Sequence, residues 1–196
     1  MDKLKGKIFV TKEREVNTYA EMWHTSRFLL EKGMEDPKGC HHQFMASLVF
    51  TAFTLEAYFN HVGPQLFRCW FDLERLGPKE KLNIIGERLG AKVDYSRRPW
   101  QVMKHLFGFR NDMAHGKSQI VKMSEFIPSH KYSDTRFGER VQTEWEKYCN
   151  QRNAQKARED VEAIINELHR LGKFKPDYPF FTGIQGGRAT YSKESE

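Results

Sequence analysis

From residue 41 through residue 55 the chain carries no Asp, Glu, Lys or Arg. Apolar side chains recur at helical spacing through and beyond this run: Met45, Leu48/Val49, Ala52, Leu55, Phe59 and Val62. A helix that is apolar around much of its circumference must be enclosed by other elements. A helix over residues 41–62 is therefore expected at the centre of the fold, ended by Gly63-Pro64. The polar residues His41, His42, Gln43, Glu56, Asn60 and His61 argue against a membrane span, where exposed polar groups are rare.

The flanking chain also reads as helical. Residues 13–32 place Val16, Tyr19/Ala20, Trp23 and Leu30 on or near one side. Asp36-Pro37-Lys38 lies in a loop. A short helix is expected over residues 65–76. Another runs over 78–89, with Pro78 in its first turn and Leu82, Ile85 and Leu89 inward. Residues 139–171 read as one long helix or a broken pair, with the polar interval 150–153 as the break point. Residues 117–138 are irregular apart from an extended piece near Ile120 and Val121. A connection of that length is often functional, and it leaves the preceding helix where it can cover a site. The expected organisation is a basic arm over 1–12, a helical domain over 13–172 and an irregular tail over 173–196. In that tail Phe174, Tyr178, Phe180 and Phe181 are candidates to pin the chain to the body.

The chemically informative stretch is Phe107-Gly108-Phe109-Arg110-Asn111-Asp112-Met113-Ala114-His115-Gly116. It closes a helix expected to start at Pro99 and to end at Gly116 in a left-handed turn. Arg110 shares a side with Met103, Phe107 and Ala114, and a guanidinium on an apolar stripe is costly unless it is paired or has a task. Asn111 and His115 are four apart and share a face. An imidazole titrates near neutrality and can carry protons. A guanidinium can grip a phosphate at two points and stabilise charge developing on its oxygens. The plain alternative is an Arg paired with a core acid and a His at a helix end. Glu56 also falls on an apolar stripe, beside Ala52 and Phe59, and is expected to pair either with Arg110 across the bundle or with some other cation.

Arg110-Asn111 followed by His115, on a helix downstream of the long apolar helix with Glu56, resembles the motif of the HEPN superfamily. The resemblance covers roughly residues 40–117. It implies an all-α, HEPN-like helical bundle and a ribonuclease that needs no metal and no cofactor. His115 would be the acid/base, Arg110 the phosphate clamp, Asn111 the orienting group, Glu56 the support and Lys117 a substrate contact. It also implies an RNA partner, a homodimer with a composite cleft, and a toxin-like or defence setting with an antitoxin or regulatory partner. The alternative under the same resemblance is a non-catalytic module that binds nucleotide, RNA or protein. Some relatives continue the motif as His-x-Tyr. This chain has His115-Gly116-Lys117, which argues against regulation through that tyrosine.

Composition bounds these readings. A chain of 196 residues with net charge +6 and pI about 9.2 fits one domain and an acidic partner. Cys40, Cys69 and Cys149 are odd in number and widely spaced, as expected for reduced thiols in the cytoplasm. Residues 1–5 have no apolar leader core. Glu21-x-x-His24 has the spacing of a di-iron carboxylate motif but lacks a second copy. No metal site is expected.

Overall fold

The computed structural model describes residues 7–124, 126, 128–131 and 140–192. In chain order the elements are β1 (Lys7–Arg14), α1 (Thr18–Glu35), α2 (Cys40–Leu66), α3 (Trp70–Leu73), α4 (Pro78–Leu89), α5 (Val102–His115), α6 (Glu144–Tyr148), α7 (Gln151–Gly172) and β2 (Gln185–Ser192). A 3-10 turn spans Ser129–Lys131. The fold is an all-α bundle with one small two-stranded sheet.

The apolar helix is central, as its composition demands. α2 packs against α1, α4, α5 and α7. It buries Leu48, Ala52, Leu55, Tyr58, Phe59 and Val62 completely. Its hydroxyls are satisfied inside the bundle: Ser47 Oγ donates to Ser26 O at 2.8 Å, and Thr51 Oγ1 to Ser47 O at 2.7 Å. No helix among the described residues is long and apolar enough to cross a membrane.

Gly63-Pro64 does not stop α2, which continues to Leu66 with Pro64 inside. A proline this close to a helix end forfeits only one backbone bond, and the turn closes through Phe67 N–H to Gly63 O at 2.9 Å. Gly63 is required for another reason. A Cβ there would lie 2.1 Å from the Trp70 ring, which is buried against it. Gly63→Ala is therefore expected to destabilise the fold by about 1–3 kcal/mol through overpacking. The midpoint of urea unfolding checks this, and an unchanged or higher midpoint would contradict the packing.

Other boundaries move for local reasons. α1 begins at Thr18 rather than residue 13, because Glu13 and Arg14 belong to β1. α3 is confined to Trp70–Leu73, since α2 extends into the expected start of that helix. α5 begins at Val102. The chain before it is a turn, closed by Gln101 N–H to Arg97 O at 2.8 Å. Of the expected helix over 139–171, residue 139 lies outside the described residues, and the rest forms a broken pair, α6 and α7. Asn150 caps α7 by accepting from Asn153 N–H at 3.0 Å. α6 opens on a capping box between Thr143 and Glu146.

The first and last described elements pair with each other. β1 and β2 are antiparallel, in a register from Lys7 opposite Ser192 to Arg14 opposite Gln185. The tail is thus irregular only up to Ile184. Gly186 and Gly187 hide β2 from sequence reading, because glycine is depleted in strands. Phe174 and Phe180 pin the tail as expected, with Phe180 stacked on Trp23 at 4.6 Å between centroids, whereas Tyr178 is exposed. Residues 117–124 are irregular and largely exposed, including Ile120 and Met123. Residues 125, 127 and 132–138 of the expected cover, 1–6 of the arm and 193–196 of the tail lie outside the described residues.

Candidate functional site

α5 positions the site through its buried row. Met103 and Phe107 point into the core, and Arg110 continues the row where the helix nears its end. The Arg110 side chain is 16% exposed and its guanidinium lies 5.6 Å from the Phe107 ring centroid. Its Nη2 donates to Glu56 Oε2, and its Nη1 donates to Asn111 Oδ1 at 3.0 Å. Its Nε is buried, with no acceptor among the described residues. The expected pairing across the bundle is therefore present: α2 supplies the acid and α5 the base.

Glu56 has a second cation. Its Oε1 lies 4.0 Å from Lys81 Nζ of α4, and that ammonium donates to Asn60 Oδ1 at 2.9 Å. Lys81 is buried, so the shared carboxylate and the Asn60 amide replace its water. One acid between two cations leaves the cluster net positive. The sequence reading did not include Lys81. Its only sequence signal was position, four residues before the inward Ile85 in a helix with Leu82 also inward.

His115 occupies the last turn of α5 and is exposed, one turn beyond Asn111. Among the described residues, none hydrogen-bonds to its ring. Lys117 follows in exposed irregular chain. The fold thus joins Arg110, Asn111 and Glu56 by direct contact, and leaves His115 and Lys117 open to solvent beside them in the chain. Gly116 is not left-handed. It has φ −55° and ψ 133°, so the expected turn is replaced by an extended exit. Glycine is still needed there, because a Cβ would approach Asp112 O to 2.5 Å.

The outer row of α5 runs Lys104, Gly108, Asn111, His115, all exposed. Gly108 is open: a Cβ there meets no atom within 4 Å. Mid-helix glycine costs about 1 kcal/mol relative to Ala, and the packing of this chain does not require it.

The opposite side of α5 holds a recess of about 330 Å³ against α6 and α7, lined by Gln101, His105, Tyr148, Asn153, Lys156 and Asp160. It does not include Arg110. Burial pushes the Tyr148 hydroxyl pKa up, so the phenol stays protonated. Arg98, in the turn before α5, binds Asp160 at 2.6 Å and Glu159 at 2.8 Å, tying that turn to α7. Glu21 and His24 do not converge on one centre: Glu21 faces Arg14 at 3.8 Å and His24 Nε2 lies 3.3 Å from Phe180 O. Among the described residues no three His, Cys, Asp or Glu side chains gather as metal ligands would. The three cysteines are unpaired, and burial pushes the Cys149 thiol up to about 11.

No protein-family model, curated protein or solved structure matches this chain.

Proposed function

We propose that the chain is a HEPN-type RNA endonuclease that acts without a metal ion, at a cleft completed by a second copy. The observation that carries this reading is Arg110: a mostly buried guanidinium, braced by Glu56 and Asn111 at the end of the helix that presents His115. Bracing both terminal nitrogens of the guanidinium costs the protein a partly buried carboxylate. That cost is understandable if the remaining N–H groups must meet an anion in a fixed orientation.

RNA supplies its own nucleophile. The 2′-hydroxyl oxygen forms a bond to phosphorus as its proton passes to a neutral imidazole. The P–O5′ bond breaks and the leaving oxygen takes a proton from an imidazolium. The products are a 2′,3′-cyclic phosphate and a 5′-hydroxyl. Two protons move at two oxygens, so two imidazoles serve best, and a two-fold pair of His115 residues provides them. Arg110 stabilises charge on the non-bridging oxygens. The exposed, unpacked Gly108 on the row of Asn111 and His115 supports close approach of a second backbone there.

The test is incubation of the full chain with mixed RNA in excess chelator. New 5′-hydroxyl ends, labelled by a polynucleotide kinase without prior phosphatase, are expected. Tight RNA binding with no new ends would instead favour a non-catalytic binding module, a reading that the absence of any group orienting the His115 ring among the described residues also favours.

A further inference from the structure

The Arg110 site holds one charge more than its own pairing requires. Arg110 Nη2 donates to Glu56 Oε2, and one carboxylate neutralises one guanidinium. Lys81 of α4 nevertheless stands at the other oxygen of the same carboxylate, 4.0 Å from Oε1, with its side chain only 3% exposed. An ammonium has three N–H donors. Among the described residues, Lys81 Nζ makes a single hydrogen bond, to Asn60 Oδ1 at 2.9 Å, and its only ion pair is with Glu56. A buried cation with so few partners is costly. It sits in the inward row of α4 with Leu82 and Ile85, where an apolar side chain would fill the space without that cost.

The extra cation has a use if a second anion joins the cluster. Each terminal nitrogen of Arg110 carries two N–H groups, so one remains on each after Glu56 and Asn111 are served. A phosphodiester that reaches them comes close to the Glu56 carboxylate, because both anions share one guanidinium. Two negative charges in a partly buried site repel, with little screening by salt. A cation behind the carboxylate offsets that repulsion. Arg110 and Lys81 together then balance Glu56 and one arriving anion.

We propose that Lys81 is a positioning residue of the Arg110 site: by neutralising Glu56 from α4, it lets that carboxylate brace Arg110 without repelling a phosphodiester. Lys81 acts through Glu56 and does not touch the ligand, since its own side chain is enclosed. The proposal rests on the reading of Arg110 as a phosphate clamp, and not on cleavage.

The experiment is equilibrium binding of a labelled 2′-fluoro oligoribonucleotide to the full chain in excess chelator, read by fluorescence anisotropy. Fluorine replaces the 2′-hydroxyl, so binding is measured without cleavage. The variants are Lys81→Met and Lys81→Gln, each alone and each combined with Glu56→Gln. Methionine keeps an apolar stem without the charge. Glutamine keeps a donor for Asn60 Oδ1 and is the variant to read where urea midpoints show Lys81→Met to be poorly folded. Removal of the Lys81 charge is expected to raise Kd by about 10-fold or more, the scale on which uncompensated like charges act at an interface. Adding Glu56→Gln removes the repelling charge and keeps an oxygen for Arg110 Nη2, so the double variants are expected to recover most of the lost affinity. A Lys81 that merely held α4 in place would give double variants no better than the single ones, and that result overturns the proposal. Parent-like binding by folded Lys81→Gln also overturns it, as does a parent that does not bind the oligonucleotide. Cleavage of ordinary RNA, assayed in parallel, separates the two readings. New 5′-hydroxyl ends without an effect of Lys81 leave the nuclease alone standing, and rescued binding without new ends leaves the Lys81 role alone.

Discussion

Arg110→Ala is expected to lower RNA cleavage by about 10²- to 10³-fold, the usual loss when one donor to a charged transition state is removed. It is also expected to cost stability. Glu56 is 27% exposed and keeps Lys81 at 4.0 Å, so its charge is not abandoned. The loss is that of one charge-assisted hydrogen bond, about 1–3 kcal/mol. Arg110→Lys separates charge from geometry. An ammonium can still face Glu56, but it lacks the further N–H groups of a planar guanidinium that could hold a phosphate while Glu56 and Asn111 are also engaged. Stability is expected to recover in Arg110→Lys while cleavage stays low. Initial rates on one RNA preparation, beside urea midpoints, read both. Parent-like cleavage by Arg110→Lys would remove the clamp from the mechanism.

The bundle was legible because its central signal is local and redundant. A run without charge from residue 41 to 55, with apolar residues every three or four positions, admits one solution in water: a helix surrounded by helices. Pro64 shows the limit of punctuation rules. Proline is costly inside a helix and cheap in its last turn, and the sequence does not say which applies until Trp70 is known to pack on Gly63. The ribbon was not legible. It joins residues separated by almost the whole chain, and β2 has glycines where a strand would show β-branched side chains.

The candidate site divides in the same way. Arg110 and Glu56 each stood out alone, as charges on apolar stripes, and two such misfits from adjacent helices find each other across the core. Lys81 gave less warning, because a lysine in a short surface helix is ordinary until its neighbours close over it. Its burial changes the meaning of Glu56. That carboxylate is a hinge point among α2, α4 and α5 rather than a private counter-ion of Arg110. The position of Arg110 therefore depends on three helices packing correctly.

His115→Ala separates chemistry from architecture. The His115 side chain is exposed, and among the described residues nothing hydrogen-bonds to it. Its removal is expected to leave the urea midpoint within about 0.5 kcal/mol of the parent. Cleavage is expected to fall by about 10²- to 10⁴-fold, the usual contribution of a positioned general acid or base. A site open to solvent also admits small molecules. Added imidazole is expected to restore part of the cleavage by His115→Ala and none of that by Arg110→Ala, whereas guanidinium at non-denaturing concentration is expected to do the reverse. This crossed pattern is specific to a proton carrier and a phosphate clamp acting together. A binding surface that merely used His115 would lose affinity in the variant but would have no rate for imidazole to restore. Cleavage by His115→Ala equal to that of the parent would leave Arg110 as a braced cation with no reacting partner, and the end of α5 as a binding site alone.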